Sequence, residues 1–254
     1  MIKLLHNFKP DLLVSTTSGG SYDVQATIID SALDAGVRRF MPVEFGHDSL
    51  NERLQARLPP LRERAKVIDR LRDLEYQGRI EWVGVATGVA LEYGLASGNL
   101  GFDLQWHSAT MHGKGTERFA ASSERWVGKV VGQGVKQWED VRNRYLYAAE
   151  VTTTANEVLE CLERSTGSWW EAGRGDVDDC VREAERRIER GFPDAGMFLM
   201  ERSVLYDEDL DAVVPFVSQD AKEMLGLRVG IVERVVEGAV HAHKHAGKGD
   251  CGCS

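Results

Sequence analysis

The sequence lacks an excess of basic charge. Its 254 residues include 31 Lys and Arg against 40 Asp and Glu, so the formal net charge is -9. The basic residues are interleaved with acidic ones, as in the run Arg182–Arg187, and do not form a stripe. Because nucleic-acid binding requires a concentrated positive surface, we expect no direct nucleic-acid partner.

The chain also has few cysteines and no long apolar run. No run reaches the ~18 apolar residues that a membrane-spanning helix needs, and Met1–Pro10 has neither the apolar core nor the cleavage site of a signal peptide. The 4 cysteines are too few and too scattered for a disulfide framework. We therefore expect no membrane partner and a reducing, cytoplasmic location.

A group of potential metal ligands lies near the C-terminus. His241, His243 and His245 precede Cys251 and Cys253. Because this spacing matches no known zinc site, we predict no metal centre. Residues 246–254 are predicted to be a disordered tail.

Short apolar runs alternate with helical patterns over the first ninety residues or so. Asp11–Ser15, Val37–Met41 and Arg79–Val85 are predicted strands, and a long helical stretch between the last two is broken at Pro59-Pro60. This succession of βαβ units predicts an α/β fold with a doubly wound parallel sheet. Ligands of such sheets bind outside the carboxyl ends of the strands.

The pattern changes after about residue 100. Short strand-like pieces alternate with predicted helices at Trp126–Gln137, Thr154–Ser165 and Val177–Arg190, and Phe192–Asp211 is predicted to be rich in loops. Ala221–Leu225 is predicted to be helical. Residues 106–245 are therefore predicted to hold the remaining sheet elements and a smaller, mostly helical substrate-side lobe.

One segment resembles a known family. Asp30-Ser-Ala-Leu-Asp-Ala-Gly-Val-Arg-Arg-Phe-Met-Pro-Val-Glu-Phe-Gly-His-Asp48 is similar to the signature of the NmrA-like and isoflavone reductase-like proteins, atypical short-chain dehydrogenases, and above all to fungal members. In that family a helix ending in Ala-Gly-Val precedes a strand and a Pro-x-Glu-Phe-Gly turn. Asp11–Gly20, Lys66 and Glu163–Gly167 add weaker matches. The resemblance implies a Rossmann-like fold, with residues 1–105 as a partial NAD(P)-binding domain.

The chain departs from the family pattern at its start. Family members begin with a strand, a Gly-x-x-Gly-x-x-Gly phosphate turn and a helix, whereas Met1 here falls just before what would be the fourth strand. We expect a truncated fragment that lacks roughly 60 to 75 residues, at ~30 residues per βαβ unit. Leu12–Val14 would then be an exposed apolar edge. The glycines of Gly128–Gly134 lie in a helical stretch and are rejected as a phosphate loop.

Three strand ends form the candidate cofactor site. The turn after the first offers backbone donors to a phosphate or ribose, and an ordinary βα turn is the alternative. The resemblance implies that the turn after the second strand flanks the nicotinamide, and the end of the third strand completes the pocket. The candidate cofactor-binding residues are Thr16, Thr17, Ser18, Gly19, Gly20, Pro42, Glu44, Phe45, Gly46, Lys66, Thr87 and Gly88.

Lys66 is the candidate catalytic residue. The resemblance implies that this lysine binds the cofactor or acts as a general acid–base, a role in which it would exchange a proton with the substrate. The helical periodicity favours a different interpretation, because Leu61, Val67 and Leu71 mark an apolar arc opposite Lys66. On that interpretation Lys66 is simply solvated.

The resemblance implies an NAD(P)H-dependent reductase, with NADP favoured over NAD, acting on a small aromatic or conjugated substrate. The cofactor would supply the chemistry, and the protein would supply position and a proton donor. Two alternatives stay open. One is a non-catalytic NAD(P)-binding regulatory or redox-sensor protein that contacts a protein partner, and the other is an inactive truncated copy.

Overall fold

The computed structural model describes residues 2–17 and 21–245. The α-helices in this part of the chain are α1 (Ile2–Phe8), α2 (Tyr22–Asp34), α3 (Glu52–Arg57), α4 (Pro60–Tyr76), α5 (Leu91–Ser97), α6 (Glu124–Lys136), α7 (Trp138–Val141), α8 (Ala155–Thr166), α9 (Val177–Glu189), α10 (Pro193–Val204), α11 (Val214–Ser218) and α12 (Val232–His245). The β-strands are β1 (Leu12–Val14), β2 (Arg39–Met41), β3 (Glu81–Ala86), β4 (Val89–Ala90), β5 (Phe102–Asp103), β6 (Ser108–His112), β7 (Arg118–Ser122), β8 (Arg144–Tyr147), β9 (Val151–Thr154) and β10 (Glu171–Gly175).

The chain divides into two compact units, and each unit is assembled from three segments. Unit 1 comprises Met1–Gly88, Arg125–Ala149 and Val214–Arg228. Unit 2 comprises Val89–Glu124, Glu150–Val213 and Val229–Ser254.

Unit 1 is built on a four-stranded sheet in the order β1-β2-β3-β8. All three strand pairings are parallel, with Val14 opposite Met41 and Ala86 opposite Tyr147. Because parallel strands point the same way, their carboxyl ends lie at one edge, which we call the carboxyl edge. The predicted parallel sheet is confirmed.

Helices cover both faces of this sheet. Phe40 and Trp82 pack on one face with apolar residues of α2 and α4. Met41 and Val83, the next residues along the same strands, pack on the other face with α6 and α7. Successive strand residues point to opposite faces, so the sheet is buried on both sides, as the prediction of a doubly wound α/β fold requires.

Unit 2 has two smaller sheets and its own core. One sheet has the order β10-β6-β5 and the other β4-β7-β9. β10 pairs in parallel with β6, and β7 pairs antiparallel with β9. Buried side chains from α5, α8 and α12 pack around Phe119 and Trp170 in one apolar cluster.

Two local predictions are wrong. Phe192–Asp211 is not rich in loops, since it contains α10 and a 3-10 turn at Glu208–Leu210. α10 begins at Pro193, a favoured first helical position, and Gly196 packs so closely on α9 that an added Cβ would lie 2.5 Å from the Ile188 side chain. Ala221–Leu225 forms consecutive turns rather than a helix.

Some predictions concern residues beyond those that the structure describes. These are the contacts of Ser18, Gly19 and Gly20, the disordered tail at residues 246–254, and Cys251 and Cys253. Across residues 2–17 and 21–245, no helix combines the length and apolar character that crossing a membrane requires.

Candidate functional site

The end of β1 is fixed by a buried amide. Gln25 of α2 donates from Nε2 to Ser15 Oγ at 2.9 Å and to Thr17 Oγ1 at 2.6 Å. Gln25 is 2% exposed, and its Oε1 has no hydrogen-bond partner among the described residues. Thr16 and Thr17 are exposed. The first predicted strand end therefore presents polar groups at the carboxyl edge.

Backbone hydrogen bonds connect the turn after β2 to the end of β3. The carbonyl of Gly46 accepts from the backbone N–H groups of Thr87 and Gly88, each at 2.9 Å. Phe45 is half-buried and packs against a core cluster of unit 1. Gly88 has φ +76°, a backbone conformation that favours glycine. The predicted residues that the structure brings together here are Pro42, Glu44, Phe45, Gly46, Thr87 and Gly88.

Lys66 lies on the exposed side of α4. Its side chain is 59% exposed and its Nζ is 2.5 Å from Glu63 Oε1. Arg64 of the same helix reaches the turn instead, since a Cβ added at Gly46 would lie 3.2 Å from Arg64 Nη1. The structure thus brings Arg64 to the turn and pairs Lys66 with Glu63, and the catalytic role of Lys66 stays a prediction.

The carboxyl group of Glu44 is held inside unit 1. Glu44 is 1% exposed, and its Oε2 accepts from Ser49 Oγ at 2.5 Å and from Tyr145 Oη at 2.9 Å. Burial raises the pKa of Glu44, although the hydrogen bond from Ser49 and the charge of Arg64 oppose that rise. The site therefore contains a carboxyl group that binds a proton more readily than an exposed one.

A second carboxyl–tyrosine pair lies beside the first. Asp48 accepts from Tyr147 Oη at 3.3 Å and from the backbone N–H of Leu50 at 2.9 Å. Burial raises the pKa of Asp48. The rings of Tyr145 and Tyr147 meet edge to face with centroids 5.4 Å apart. Two tyrosines and two carboxyl groups thus form one connected polar cluster.

Both tyrosines of this cluster stay protonated near neutral pH. Burial, followed by the charge of Glu44, raises the pKa of Tyr145 far above its ordinary value. Burial, followed by the charge of Asp48, also raises the pKa of Tyr147. Since each hydroxyl keeps its proton, each can donate to its carboxyl partner. The cluster can therefore hold a proton inside unit 1.

The sequence prediction missed Tyr145, Tyr147, Asp48, Ser49 and Arg64 as site residues. One signal was present: Tyr145 and Tyr147 alternate along a strand and so share a face. Their proximity to Glu44 depends on β8 lying next to β3, with Gly84 opposite Tyr145. That strand order could not be read from the local pattern.

The described residues contain no group of three His, Cys, Asp or Glu side chains able to hold a metal ion. His241 and His245 lie four residues apart on α12, and their rings stack at 4.2 Å.

No family model matches the chain. An oxidoreductase, aprR, from Aspergillus flavus is 34% identical over 192 residues, which are 75% of this chain and 64% of that protein. The leucoanthocyanidin reductase–NADPH complex from Vitis vinifera has a TM-score of 0.69 at 18% identity and covers 94% of this chain and 81% of its own. Isoflavone reductase has a TM-score of 0.61 at 17% identity, and the match covers 92% of this chain and 76% of that protein.

The parallel sheet and its carboxyl edge define a Rossmann-like α/β protein. Its structural neighbours include leucoanthocyanidin reductase and isoflavone reductase, so the resemblance predicted from the sequence is confirmed for the fold. The chain spans 64% of the length of the Aspergillus oxidoreductase.

Proposed function

We propose that the chain is an NAD(P)H-dependent reductase of the isoflavone reductase-like type, with NADPH as the preferred cofactor. The observation that carries this proposal is the carboxyl edge of unit 1, where the Gly46 carbonyl ties the turn after β2 to Thr87 and Gly88 at the end of β3. Ligands of open α/β sheets bind at this edge. The NADPH complex of leucoanthocyanidin reductase supports the choice of cofactor.

The residues at this edge fit the nicotinamide half of the dinucleotide better than its phosphates. Gln25 Oε1 is a buried acceptor without a partner among the described residues, and Thr16 and Thr17 are exposed beside it. These residues and the turn from Pro42 to Gly46 would hold a ribose and a carboxamide. The glycines of Gly128–Gly134 lie within α6, so they offer no phosphate turn.

When bound, NADPH supplies the hydride, and the chain supplies position and a proton. We assign the proton donor to Lys66, whose ammonium is exposed and paired with Glu63. Arg64 from the same helix contacts the turn at Gly46, which supports an approach of α4 to the carboxyl edge. The substrate would be a small aromatic or conjugated molecule. Unit 1, which contains most of residues 1–105, would be the cofactor-binding part.

A cytoplasmic location is also proposed. Cys161 and Cys180 are buried thiols, which suits a reducing compartment.

The test is NADPH oxidation by the purified chain with a panel of enones and quinones. Lys66→Met is expected to lower turnover about 100-fold, as loss of a general acid does, with NADPH binding retained. Lys136→Met is the matched control, because Lys136 is exposed at the end of α6. NADPH binding without turnover on any acceptor would support the redox-sensor alternative instead, and absence of binding would refute the cofactor proposal.

A further inference from the structure

Unit 2 contains an acidic cavity that the proposed reductase chemistry does not use. Its volume is about 320 Å³, near the lower end of the roughly 300–1,000 Å³ typical of small-molecule sites. The polar residues that line it are Glu117, Asp178, Tyr206, Asp207, Glu208 and Asp209.

Buried polar atoms at this cavity lack partners. Tyr206 is 4% exposed, and its hydroxyl has no hydrogen-bond partner within residues 2–17 and 21–245. Glu117 accepts from the backbone N–H of Lys114 through Oε1 at 3.0 Å, whereas its buried Oε2 has none in the same part of the chain. Buried polar groups are almost always hydrogen-bonded, so two unsatisfied ones on residues that line one cavity point to a missing ligand.

The neighbouring arginine side chains already donate hydrogen bonds to backbone carbonyls. The Arg174 guanidinium donates to the carbonyls of Gly113 and Lys114. Burial raises the pKa of the Tyr206 hydroxyl, and Arg202 lies close enough for its charge to oppose that rise. The Arg202 guanidinium donates to the carbonyls of Asn99 and Gly98. Within the described chain, Glu117, Asp178 and Glu208 form no ion pair, so their charge is available to a ligand.

These features specify the chemistry of the ligand. A carboxylate only accepts hydrogen bonds, so the ligand must donate them. No three acidic or histidine groups of the described residues approach closely enough to hold a metal ion. A larger cation whose donors are spread along a chain meets both requirements.

We propose that this cavity binds an aliphatic polyamine, with one ammonium group donating to Glu117 Oε2 and the Tyr206 hydroxyl, and the other ammonium groups facing the acids at the cavity mouth. Every residue that lines this cavity belongs to unit 2, whereas the proposed NADPH site lies in unit 1.

Isothermal titration of the full chain with spermidine tests the proposal. Saturable binding at one site is expected, with no heat from triethylene glycol, an uncharged chain of similar length. Glu117→Gln should weaken binding at least about tenfold, because it removes a charged hydrogen bond. Tyr206→Phe should weaken it about threefold to tenfold. Glu160→Gln removes the same charge from an exposed position on α8 and should bind as the wild type does.

Equal loss of affinity in Glu160→Gln would overturn the proposal in favour of diffuse charge attraction. Absence of saturable binding, or Mg²⁺ or Ca²⁺ binding as tightly as spermidine, would overturn it as well. Thermal unfolding of each variant checks that it folds. If Glu117→Gln does not fold, Asp178→Asn at the exposed start of α9 replaces it, with a weakening of about threefold expected.

Discussion

The Tyr145 hydroxyl donates to the Glu44 carboxyl at 2.9 Å, although the two residues are 101 positions apart in the chain. This hydrogen bond joins β8 to the turn after β2. It lies inside unit 1, where Glu44 is 1% exposed. A buried acceptor without its donor is costly, so this contact fixes the turn at the carboxyl edge.

Removal of the Tyr145 hydroxyl should therefore destabilise the protein. Tyr145→Phe deprives Glu44 of one donor and the backbone N–H of Ser49 of its acceptor, and we expect a loss of about 1–3 kcal/mol in the free energy of unfolding. Tyr147→Phe is the matched variant. It breaks a longer contact of 3.3 Å to Asp48, which keeps the backbone N–H of Leu50, and it should cost less. Urea unfolding measures the free energy of unfolding of both variants. A loss in Tyr147→Phe that equals or exceeds the loss in Tyr145→Phe would refute this prediction.

The raised pKa of Glu44 makes stability depend on pH in a definite direction. Because the folded pKa lies above the ordinary value of 4.5, Glu44 favours folding below pH 4.5 and this contribution is lost as the pH rises through the folded pKa. Gln cannot ionise, so Glu44→Gln should gain stability relative to the wild type as the pH rises above 4.5.

Urea unfolding at a series of pH values measures that difference. The exposed Glu160→Gln variant should follow the wild type throughout. A free energy of unfolding of Glu44→Gln that stays constant or falls relative to that of the wild type as the pH rises would contradict the buried, proton-holding role of Glu44.

Close packing between β3 and β8 requires a glycine. A Cβ added at Gly84 would lie 2.8 Å from Tyr145 Cδ2 and 3.2 Å from Ile68 Cδ1. Gly84→Ala should therefore cost about 1–3 kcal/mol through overpacking. Gly128→Ala on α6 meets no atom within 4 Å and should stabilise the helix by up to about 1 kcal/mol. Thermal unfolding measures the stability of both variants. A Gly84→Ala variant as stable as the wild type would mean that the space between Gly84 and Tyr145 accommodates a methyl group.

The sequence predicted the sheet of unit 1 well because each of its elements carries a local signal. Strands such as β2 and β3 are short apolar runs, and the arc of Leu61, Val67 and Leu71 identifies the buried face of α4. The turn from Pro42 to Gly46 was predicted at the correct edge because all strands of a parallel sheet end on the same side.

The rest depends on long-range contacts. The role of Tyr145 follows from the pairing of β8 with β3, and α10 is stabilised by its packing on α9, where Gly196 permits close approach. Neither contact leaves a local pattern. Lys66 is paired with Glu63 as an ordinary surface lysine would be, so its own contacts do not support the role that the resemblance implies.

Saturation-transfer NMR of NADPH with the 254-residue chain can detect whether the carboxyl edge of unit 1 binds the nicotinamide half of the dinucleotide, as proposed. We expect stronger saturation of the nicotinamide and its ribose protons than of the adenine protons. Excess nicotinamide mononucleotide should abolish the signal, and AMP should leave it intact. Stronger saturation of the adenine, or none on either half, would contradict it.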